Sequence, residues 1–349
     1  MSVASYIQAM PKVELMLSLE GALQRNSLLK LAEANDIPET LKHYNEWVSL
    51  LDKPDYKRLA DIARMATSWL QIADDLSRIV YDVGVFLAKT NVRYAEVMVN
   101  PSYFDHVGLS LDDFFAALND GRSRAKRAWD VDIAWVLAVP REEPRRADDY
   151  ARAATSQMAV RHNIVALGLT GREDAQPVGQ FERAFATAEK KGVPRVVRAG
   201  DNLGADGVVA AVNTLSPTRL LDARGVSESP EALRLIEERQ IPVAVGLTRA
   251  LRLGWVHSVE EFPLRNLYDE GVTLVLGTDM PSLYHTSLIE EYTTAVEAEL
   301  LSLDELDELA LNAVRNSFLP EDQKTAMLEQ FKEEYARLRE EHITSGEPA

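Results

Sequence analysis

The chain has 349 residues, of which 46% are hydrophobic and 27% are charged, a balance typical of soluble globular proteins. Its 55 acidic side chains exceed the 38 basic ones, and the net charge of −17 argues against nucleic-acid and membrane partners because it repels phosphates and anionic lipids. The absence of cysteine excludes disulfides, thiolate metal ligands and a cysteine nucleophile. The chain starts without a basic segment followed by an apolar core and contains no apolar run of about 18 residues, so we expect a cytoplasmic protein.

Short apolar segments alternate with longer amphipathic segments along the chain. Eight short segments have the length and composition of strands that are covered on both faces: residues 13–17, 94–99, 133–139, 164–169, 195–198, 219–221, 242–246 and 273–276. The clearest helical patterns are Pro230–Arg239 and Leu303–Arg315, the second with Ser302 and Glu305 as a capping box. The alternation predicts an α/β fold, a single (β/α)8 TIM barrel, with an open doubly wound sheet as the alternative.

A long insertion and a charged C-terminal segment interrupt the simple alternation. Residues 35–56 follow the first strand and contain Pro38, Tyr44 and Trp47. An insertion at this place lies over the barrel mouth and forms either a helical lid or a helical pair packed on the rim. We expect the barrel to span residues 1–340 and residues 341–349 to form a flexible tail.

The reacting groups of a TIM barrel lie at the carboxyl ends of its strands and in the loops that follow. Here that rule selects residues 17–21, 99–106, 169–173, 198–203, 222–225, 246–253 and 278–285. The ionisable side chains in these regions are Glu20, Asp105, His106, Arg172, Glu173, Arg198, Asp201, Asp222, Arg224, Arg249, Arg252, Asp279 and His285. They predict a polar mouth that contains no pair of histidines at the spacing of metal ligands.

Several motifs resemble those of the adenosine deaminase family, in the same order. They are Pro-Lys-Val-Glu-Leu at 11–15, Leu-Glu-Gly-Ala-Leu at 19–23, Arg-Tyr-Ala-Glu-Val at 93–97, Gly171, Ala-Gly at 199–200, Thr-Asp at 278–279 and Asn-Ala-Val-Arg-Asn-Ser-Phe-Leu at 312–319. The resemblance covers about residues 11–330. It implies an amidohydrolase-type TIM barrel with its site at the barrel mouth.

The chain departs from this family at the positions that bind the catalytic zinc. The resemblance places Met16 and Ser18 at the histidines of the family's His-x-His motif and Arg198 at the third histidine, so that Asp279 alone remains of four ligands. A catalytic zinc needs about three protein ligands, and a guanidinium cannot coordinate one. We therefore expect no metal, no other cofactor and no zinc-dependent deamination.

The positions of proton transfer differ from the family as well. The resemblance places Asp201 at the family's glutamate, Asp222 at its water-activating histidine and Met280 at the second aspartate of Thr-Asp-Asp. Two positions that contact the nucleoside in the family, Glu20 and Gly171, are kept. The family's Pro-Thr-Ser-Asn after the seventh strand reads Leu-Thr-Arg-Ala at 247–250.

The candidate catalytic residues Arg198, Asp201, Asp222 and Asp279 are expected to converge on the volume that holds zinc in the family. In one interpretation Arg198 joins the carboxylates in a buried structural ion-pair network. In the other, Asp201 or Asp222 is a general acid or base and Arg198 binds an anionic group. The candidate substrate-binding residues are Met16, Ser18, Glu20, Gly171, Glu173, Arg249, Met280 and His285. The last either reaches the pocket, where it would titrate near neutrality, or packs at the surface.

Three functions stay open. The favoured one is a metal-independent hydrolase or lyase of specialised metabolism, which uses Asp/Arg acid–base chemistry for hydrolysis, elimination or cyclisation of a nucleoside-like or heteroaromatic molecule. The second is a catalytically silent small-molecule-binding relative. The third is a deaminase with a rebuilt metal site, for which His43, His106 and His257 lie in mouth loops but far apart in sequence. We expect a monomer or homodimer whose partner is a small molecule.

Overall fold

The computed structural model describes residues 2–37 and 40–343, and eight parallel strands form one sheet within these ranges. The strands are β1 (Lys12–Ser18), β2 (Val92–Val99), β3 (Asp132–Pro140), β4 (Ile164–Thr170), β5 (Arg195–Arg198), β6 (Arg219–Leu221), β7 (Val243–Val245) and β8 (Leu274–Leu276). Each strand pairs with the next one along the chain. The predicted TIM barrel is confirmed, and the open doubly wound sheet is wrong because that fold reverses its strand order at a switch point.

Helices surround the barrel. They are α1 (Val3–Ala9), α2 (Leu19–Ala22), α3 (Arg25–Ala34), α4 (Thr40–Asp52), α5 (Leu59–Thr67), α6 (Ala73–Lys89), α7 (Leu111–Trp129), α8 (Ala147–Ala154), α9 (Gln157–His162), α10 (Glu182–Lys190), α11 (Gly204–Leu215), α12 (Pro230–Arg239), α13 (Leu247–Arg252), α14 (Leu264–Asp269), α15 (Pro281–Tyr284), α16 (Leu288–Glu297), α17 (Leu303–Arg315) and α18 (Glu321–His342). Across the described ranges, none of these helices has the length and apolar character needed to cross a membrane.

A buried glutamate closes the seam between β1 and β8. At this seam Ser18 donates its backbone N–H to the carbonyl oxygen of Asp279 at 2.7 Å. The Glu14 carboxylate accepts from Met16 N (3.0 Å), Thr278 N (3.2 Å) and Thr278 Oγ1 (2.8 Å). A side chain thus joins the first and last strands near the mouth. Burial raises the pKa of Glu14 to about 7.

A buried ion pair crosses the opposite end of the barrel. Arg219 Nη1 lies 2.7 Å from Glu96 Oε2, and both side chains are fully buried. Arg219 also donates to the carbonyl oxygen of Asn316 at 2.6 Å and lies 4.3 Å from the ring centre of Phe318. Through Asn316 and Phe318, the segment 312–319 therefore contacts the buried Arg219 guanidinium at this end of the barrel.

The insertion after β1 is helical and packs on the mouth. Its core is aromatic, with the Trp47 and Trp69 rings edge-on at 5.3 Å and the Tyr44 and Trp47 rings 5.9 Å apart. Pro38 lies outside the described residues, and the movement of this insertion as a lid stays a prediction. At the other end of the chain α18 extends to His342, and residues 344–349 of the expected tail also lie outside the described residues.

Candidate functional site

The carboxyl ends of β5, β6 and β8 bring Arg198, Asp222 and Asp279 together at the bottom of the mouth. Arg198 Nη2 donates to Asp279 Oδ1 at 2.6 Å, and its Nη1 donates to Asp279 Oδ2 at 3.1 Å and to Asp222 Oδ2. All three side chains are at most 5% exposed. Burial lowers the pKa of Arg198, but the two carboxylates raise it by more, so the guanidinium stays charged.

A second buried guanidinium, that of Arg249 on α13, completes the cluster. Its Nε donates to Asp279 Oδ2 at 3.0 Å, and its Nη2 donates to Asp201 Oδ2 at 2.8 Å. The guanidinium carbon lies 4.6 Å from the centre of the Trp255 ring. Two arginines therefore face three aspartates, so the cluster carries more compensating positive charge than Arg198 alone would supply.

Asp279 uses all of its hydrogen-bonding capacity within this cluster. Its Oδ1 accepts from Ser18 Oγ at 2.9 Å and from Arg198, and its Oδ2 accepts from Arg198 and Arg249. Each carboxylate oxygen has about two lone-pair sites, so neither oxygen has one left for a ligand. Burial raises the pKa of Asp279, but the two arginines outweigh it and hold the pKa below its ordinary value. This carboxylate is a weak base.

Asp201 and Asp222 lie behind the arginines and do not line the mouth cavity. Asp201 accepts from Arg249 and, at its other oxygen, from Asn202 N at 2.8 Å, with Tyr56 Oη at 3.5 Å. Burial raises the pKa of Asp222 to about 6, against the opposing effect of Arg249 and Arg198. Proton exchange between either carboxyl group and a ligand would require this cover to move.

The cavity above the cluster is small, with a volume of about 40 Å³. That is room for a few water molecules, whereas ligand pockets usually measure about 300–1,000 Å³. The structure thus describes a closed mouth. The lining residues are Ser18, Tyr56, Leu59, Ala60, Asn100, Tyr103, Glu142, Thr170, Gly171, Arg172, Arg198, Arg249, Asp279 and Met280.

Of the proposed substrate-binding residues, Ser18, Gly171, Arg249 and Met280 line this cavity. Met16 is fully buried in the barrel core instead.

Glu20 lies beside this cavity and hydrogen-bonds to the chain after β2. Its Oε1 accepts from Asn100 N at 2.7 Å and from Asn100 Nδ2 at 3.3 Å. Its buried Oε2 has no hydrogen-bond partner among the described residues. Burial raises the pKa of Glu20 to about 7. Glu20 is therefore a buried acid that keeps its proton to a higher pH than an exposed glutamate does.

Glu173 and His285 do not line the cavity, because they hydrogen-bond to the loop after β5 and to Arg25. Glu173 accepts from the backbone N–H groups of Gly200 (2.7 Å), Asn202 (3.0 Å) and Leu203 (2.9 Å), so it fixes the loop after β5. His285 is exposed at the rim, and its Nε2 lies 2.6 Å from Arg25 Nη2. Partial burial and the Arg25 charge lower the pKa of His285. The structure does not bring these two side chains to the cavity.

Several lining residues were not predicted from the sequence. Tyr56 comes from the insertion, accepts from Glu173 N at 2.8 Å and meets the Trp255 ring edge-on at 5.3 Å. Glu142 follows β3, whose carboxyl end was not among the selected regions, and the same strand-end rule would have found it. Its neighbour Arg141 donates to the Arg198 carbonyl oxygen at 2.8 Å and so supports the cluster from outside.

The residues at the family's zinc position do not fit a zinc ion. Arg198 occupies the space between Asp222 and Asp279, and Ser18 donates its hydroxyl proton to Asp279. Throughout residues 2–37 and 40–343, no three His, Cys, Asp or Glu side chains form a group that could hold a metal. A zinc ion would have to displace two charged guanidiniums from their buried carboxylates.

The chain is similar to proteins named as deaminases over nearly its whole length. The adenosine deaminase family model matches residues 11–334. Aminodeoxyfutalosine deaminase of Streptomyces coelicolor is 28% identical over 318 residues, which cover 90% of this chain and 82% of that protein. The adenine deaminase structure from Arthrobacter aurescens superposes with a TM-score of 0.86 at 23% identity, covering 93% of this chain and 99% of the other. The structure of Arabidopsis ADAL complexed with GMP superposes with a TM-score of 0.85 at 21% identity, covering 94% of this chain and 98% of the other. Because the family model spans the barrel from its first strand to its last helix, this chain belongs to the adenosine deaminase family.

Proposed function

We propose that this chain binds a nucleoside-like small molecule in the barrel mouth without a zinc ion, and that the Arg198 guanidinium takes the place of the metal. The observation that carries the proposal is the buried two-point pair between Arg198 and Asp279. Asp279, the one ligand position that the chain keeps, has no lone pair left for a metal. Breaking such a buried pair costs about 3–5 kcal/mol, which a zinc ion would have to recover from neutral Ser18 and Met16.

The relatives support the class of ligand. Two of the relatives described above are named as deaminases, one of adenine and one of aminodeoxyfutalosine. The Arabidopsis structure was solved with GMP. The lining of this chain pairs aromatic and apolar surface from Tyr56, Tyr103 and Met280 with a few polar groups, a combination typical of sites for flat heterocycles. Assembly as a monomer or homodimer and a cytoplasmic location stay predictions.

The closed mouth implies that ligand entry needs a movement. A cavity of about 40 Å³ cannot hold a nucleoside, and Tyr56 covers it from the insertion. We therefore extend the proposal to a lid role for residues 40–58, which would swing away from the mouth and return over the bound molecule.

A second candidate is a metal-independent enzyme that performs hydrolysis, elimination or cyclisation. One observation favours it: the pKa of Asp222 is raised to about 6, close to the pH at which a general acid or base works best. Because Arg198 separates Asp222 from the cavity, a proton can pass between Asp222 and a ligand only after the side chains of the cluster rearrange. Ligand binding without a chemical step needs no such rearrangement, and binding is therefore the first candidate function.

The test measures zinc, binding and turnover on the same sample. Elemental analysis after dialysis should find far less than one zinc per chain, with a family member that keeps the His-x-His motif as control. A panel of nucleosides and nucleotides should contain compounds that raise the melting temperature, and mass spectrometry should recover them unchanged. One tightly held zinc per chain, or adenosine deamination at the usual ~1–10³ s⁻¹, contradicts the proposal. A product that Asp222→Asn reduces by about 10²–10⁴-fold, while the thermal shift is kept, establishes the second candidate.

A further inference from the structure

Apart from Arg172 Nε, which lies 3.2 Å from Asp174 Oδ1, two buried charged atoms of residues that line the mouth cavity lack a hydrogen-bond partner among the described residues. One is Nη1 of Arg249, whose side chain is 1% exposed, and the other is Oε2 of Glu142. The remaining atoms of both groups are in use: Arg249 binds Asp279 and Asp201, and Glu142 Oε1 accepts from Arg172 N at 2.9 Å. Buried polar groups without partners are costly in proteins. A ligand that placed its polar groups against these two atoms would supply their missing partners.

The two residues follow strands on opposite sides of the barrel. Glu142 follows β3 and Arg249 follows β7, which are four strands apart in the eight-stranded order. A molecule that bridges the mouth therefore meets a cationic donor on one side and an anionic acceptor on the other. Its own groups must be an acceptor toward Arg249 and an N–H or O–H toward Glu142.

The arginine side of the mouth is unsuited to an amino group. Both Asp279 oxygens are saturated by donors, and the neighbouring Met280 offers only a thioether, a weak acceptor. An exocyclic amine would point its hydrogens at a guanidinium that itself needs an acceptor. A ring carbonyl in the same place would accept from Arg249 Nη1 and so give that atom a partner.

We propose that the mouth selects an oxo-substituted nitrogen heterocycle, such as a 6-oxopurine nucleoside, over its amino-substituted counterpart. Arg249 Nη1 donates to the ring carbonyl, and Glu142 Oε2 accepts from an N–H or hydroxyl group across the mouth. This inference rests on the proposed function, because it specifies the ligand of the same zinc-free site.

The decisive comparison is between inosine and adenosine, which share the ribose and differ in the oxo or amino group of the ring. Isothermal titration of the wild-type protein should show inosine binding about 10–100-fold more tightly, since the better ligand gains a hydrogen bond to a charged donor. Mass spectrometry of the titrated sample checks that adenosine stays intact. Equal affinities, or tighter binding of adenosine, overturn the inference while leaving the proposed function standing. If neither nucleoside binds, the inference fails, and the proposed function fails with it when no other compound of the panel binds.

Two variants test which side chains produce the preference for inosine. Arg249→Lys keeps a positive charge beside the aspartates but removes Nη1, so the affinity ratio should fall toward one; Arg145→Lys, at an exposed position after β3, is the matched control. Glu142→Gln should weaken inosine binding about tenfold. A ratio that survives Arg249→Lys, or an unchanged affinity in Glu142→Gln, overturns the assignment of the corresponding atom. Circular dichroism checks that each variant is folded. The wild-type comparison of inosine with adenosine remains valid even if Arg249→Lys does not fold.

Discussion

The Arg198 guanidinium binds the Asp279 carboxylate at two points, with Nη2–Oδ1 at 2.6 Å and Nη1–Oδ2 at 3.1 Å. This parallel arrangement is the strongest geometry for an arginine–carboxylate pair. The side chains are 5% and 1% exposed, so solvent screens the interaction little. A buried pair is weak support for net stability, but it fixes where the charge lies: a permanent cation stands between carboxylates at the position that the resemblance assigns to a metal ligand.

Replacing Arg198 with alanine should destabilise the protein strongly, and more at pH 8 than at pH 5. Removing one partner of a buried pair costs about 3–5 kcal/mol. Without Arg198 the pKa of Asp222, already raised to about 6, rises further above its unfolded value of ~3.9. An acid with a raised folded pKa loses stability as pH increases from the unfolded to the folded pKa, so the loss grows across this range. Urea unfolding at the two pH values measures it.

The control for this variant is Arg183→Ala. Arg183 pairs with Asp148 at the surface, where the two side chains are 84% and 45% exposed. Exposed pairs contribute about 0.2–1 kcal/mol, so this change should be small and independent of pH. If Arg198→Ala costs no more than the control, or equally much at both pH values, then the buried pair is not formed in solution.

Glu20→Gln should stabilise the protein at pH 8 and leave it nearly unchanged at pH 5. The pKa of Glu20 is raised from 4.5 to about 7 by burial, so the wild type loses stability as pH rises between these values, by up to about 3 kcal/mol. Glutamine keeps the oxygen that accepts from Asn100, and its amide nitrogen takes the place of the unpartnered Oε2. Urea unfolding from pH 5 to pH 8 should show the variant's advantage growing with pH. Glu237→Gln, at an exposed position on α12, should show no such trend, and parallel curves for Glu20→Gln and wild type would refute the assignment.

The barrel itself was predictable from local patterns. Strands covered on both faces are short and apolar, and the predicted bounds of the fifth and sixth strands, 195–198 and 219–221, agree with the structure. The capping box of Ser302 and Glu305 is also present. These features depend on neighbours within a few residues, and for that reason sequence alone defines them.

The arrangement of the site was less predictable because its contacts are far apart in sequence. Tyr56 reaches Glu173 across 117 positions, and no local pattern links them. The resemblance indicated that Arg198 replaces a metal ligand, but not that Arg249 joins it and covers Asp201. His285 lies in a mouth loop as expected, yet the direction of a loop side chain depends on its own backbone, and here it turns to Arg25.

Arg252→Ala should loosen the insertion while leaving the barrel intact. Arg252 Nη2 donates to the backbone carbonyl oxygens of Leu51 (2.7 Å) and Asp52 (3.1 Å), at the end of α4. The last carbonyl groups of a helix lack partners within the helix, and a cation there also interacts favourably with the helix dipole. This side chain therefore connects the proposed lid to α13. Hydrogen–deuterium exchange should become faster by about tenfold in peptides covering residues 42–58, because losing a hydrogen bond to a charged group costs about 1.5–3 kcal/mol. Exchange within β4 should not change.

The control is Arg234→Ala on α12, whose side chain is 65% exposed and which should alter neither region. Unchanged exchange at residues 42–58 would show that Arg252 does not hold the insertion closed, whereas faster exchange together with faster ligand association would identify these residues as the lid.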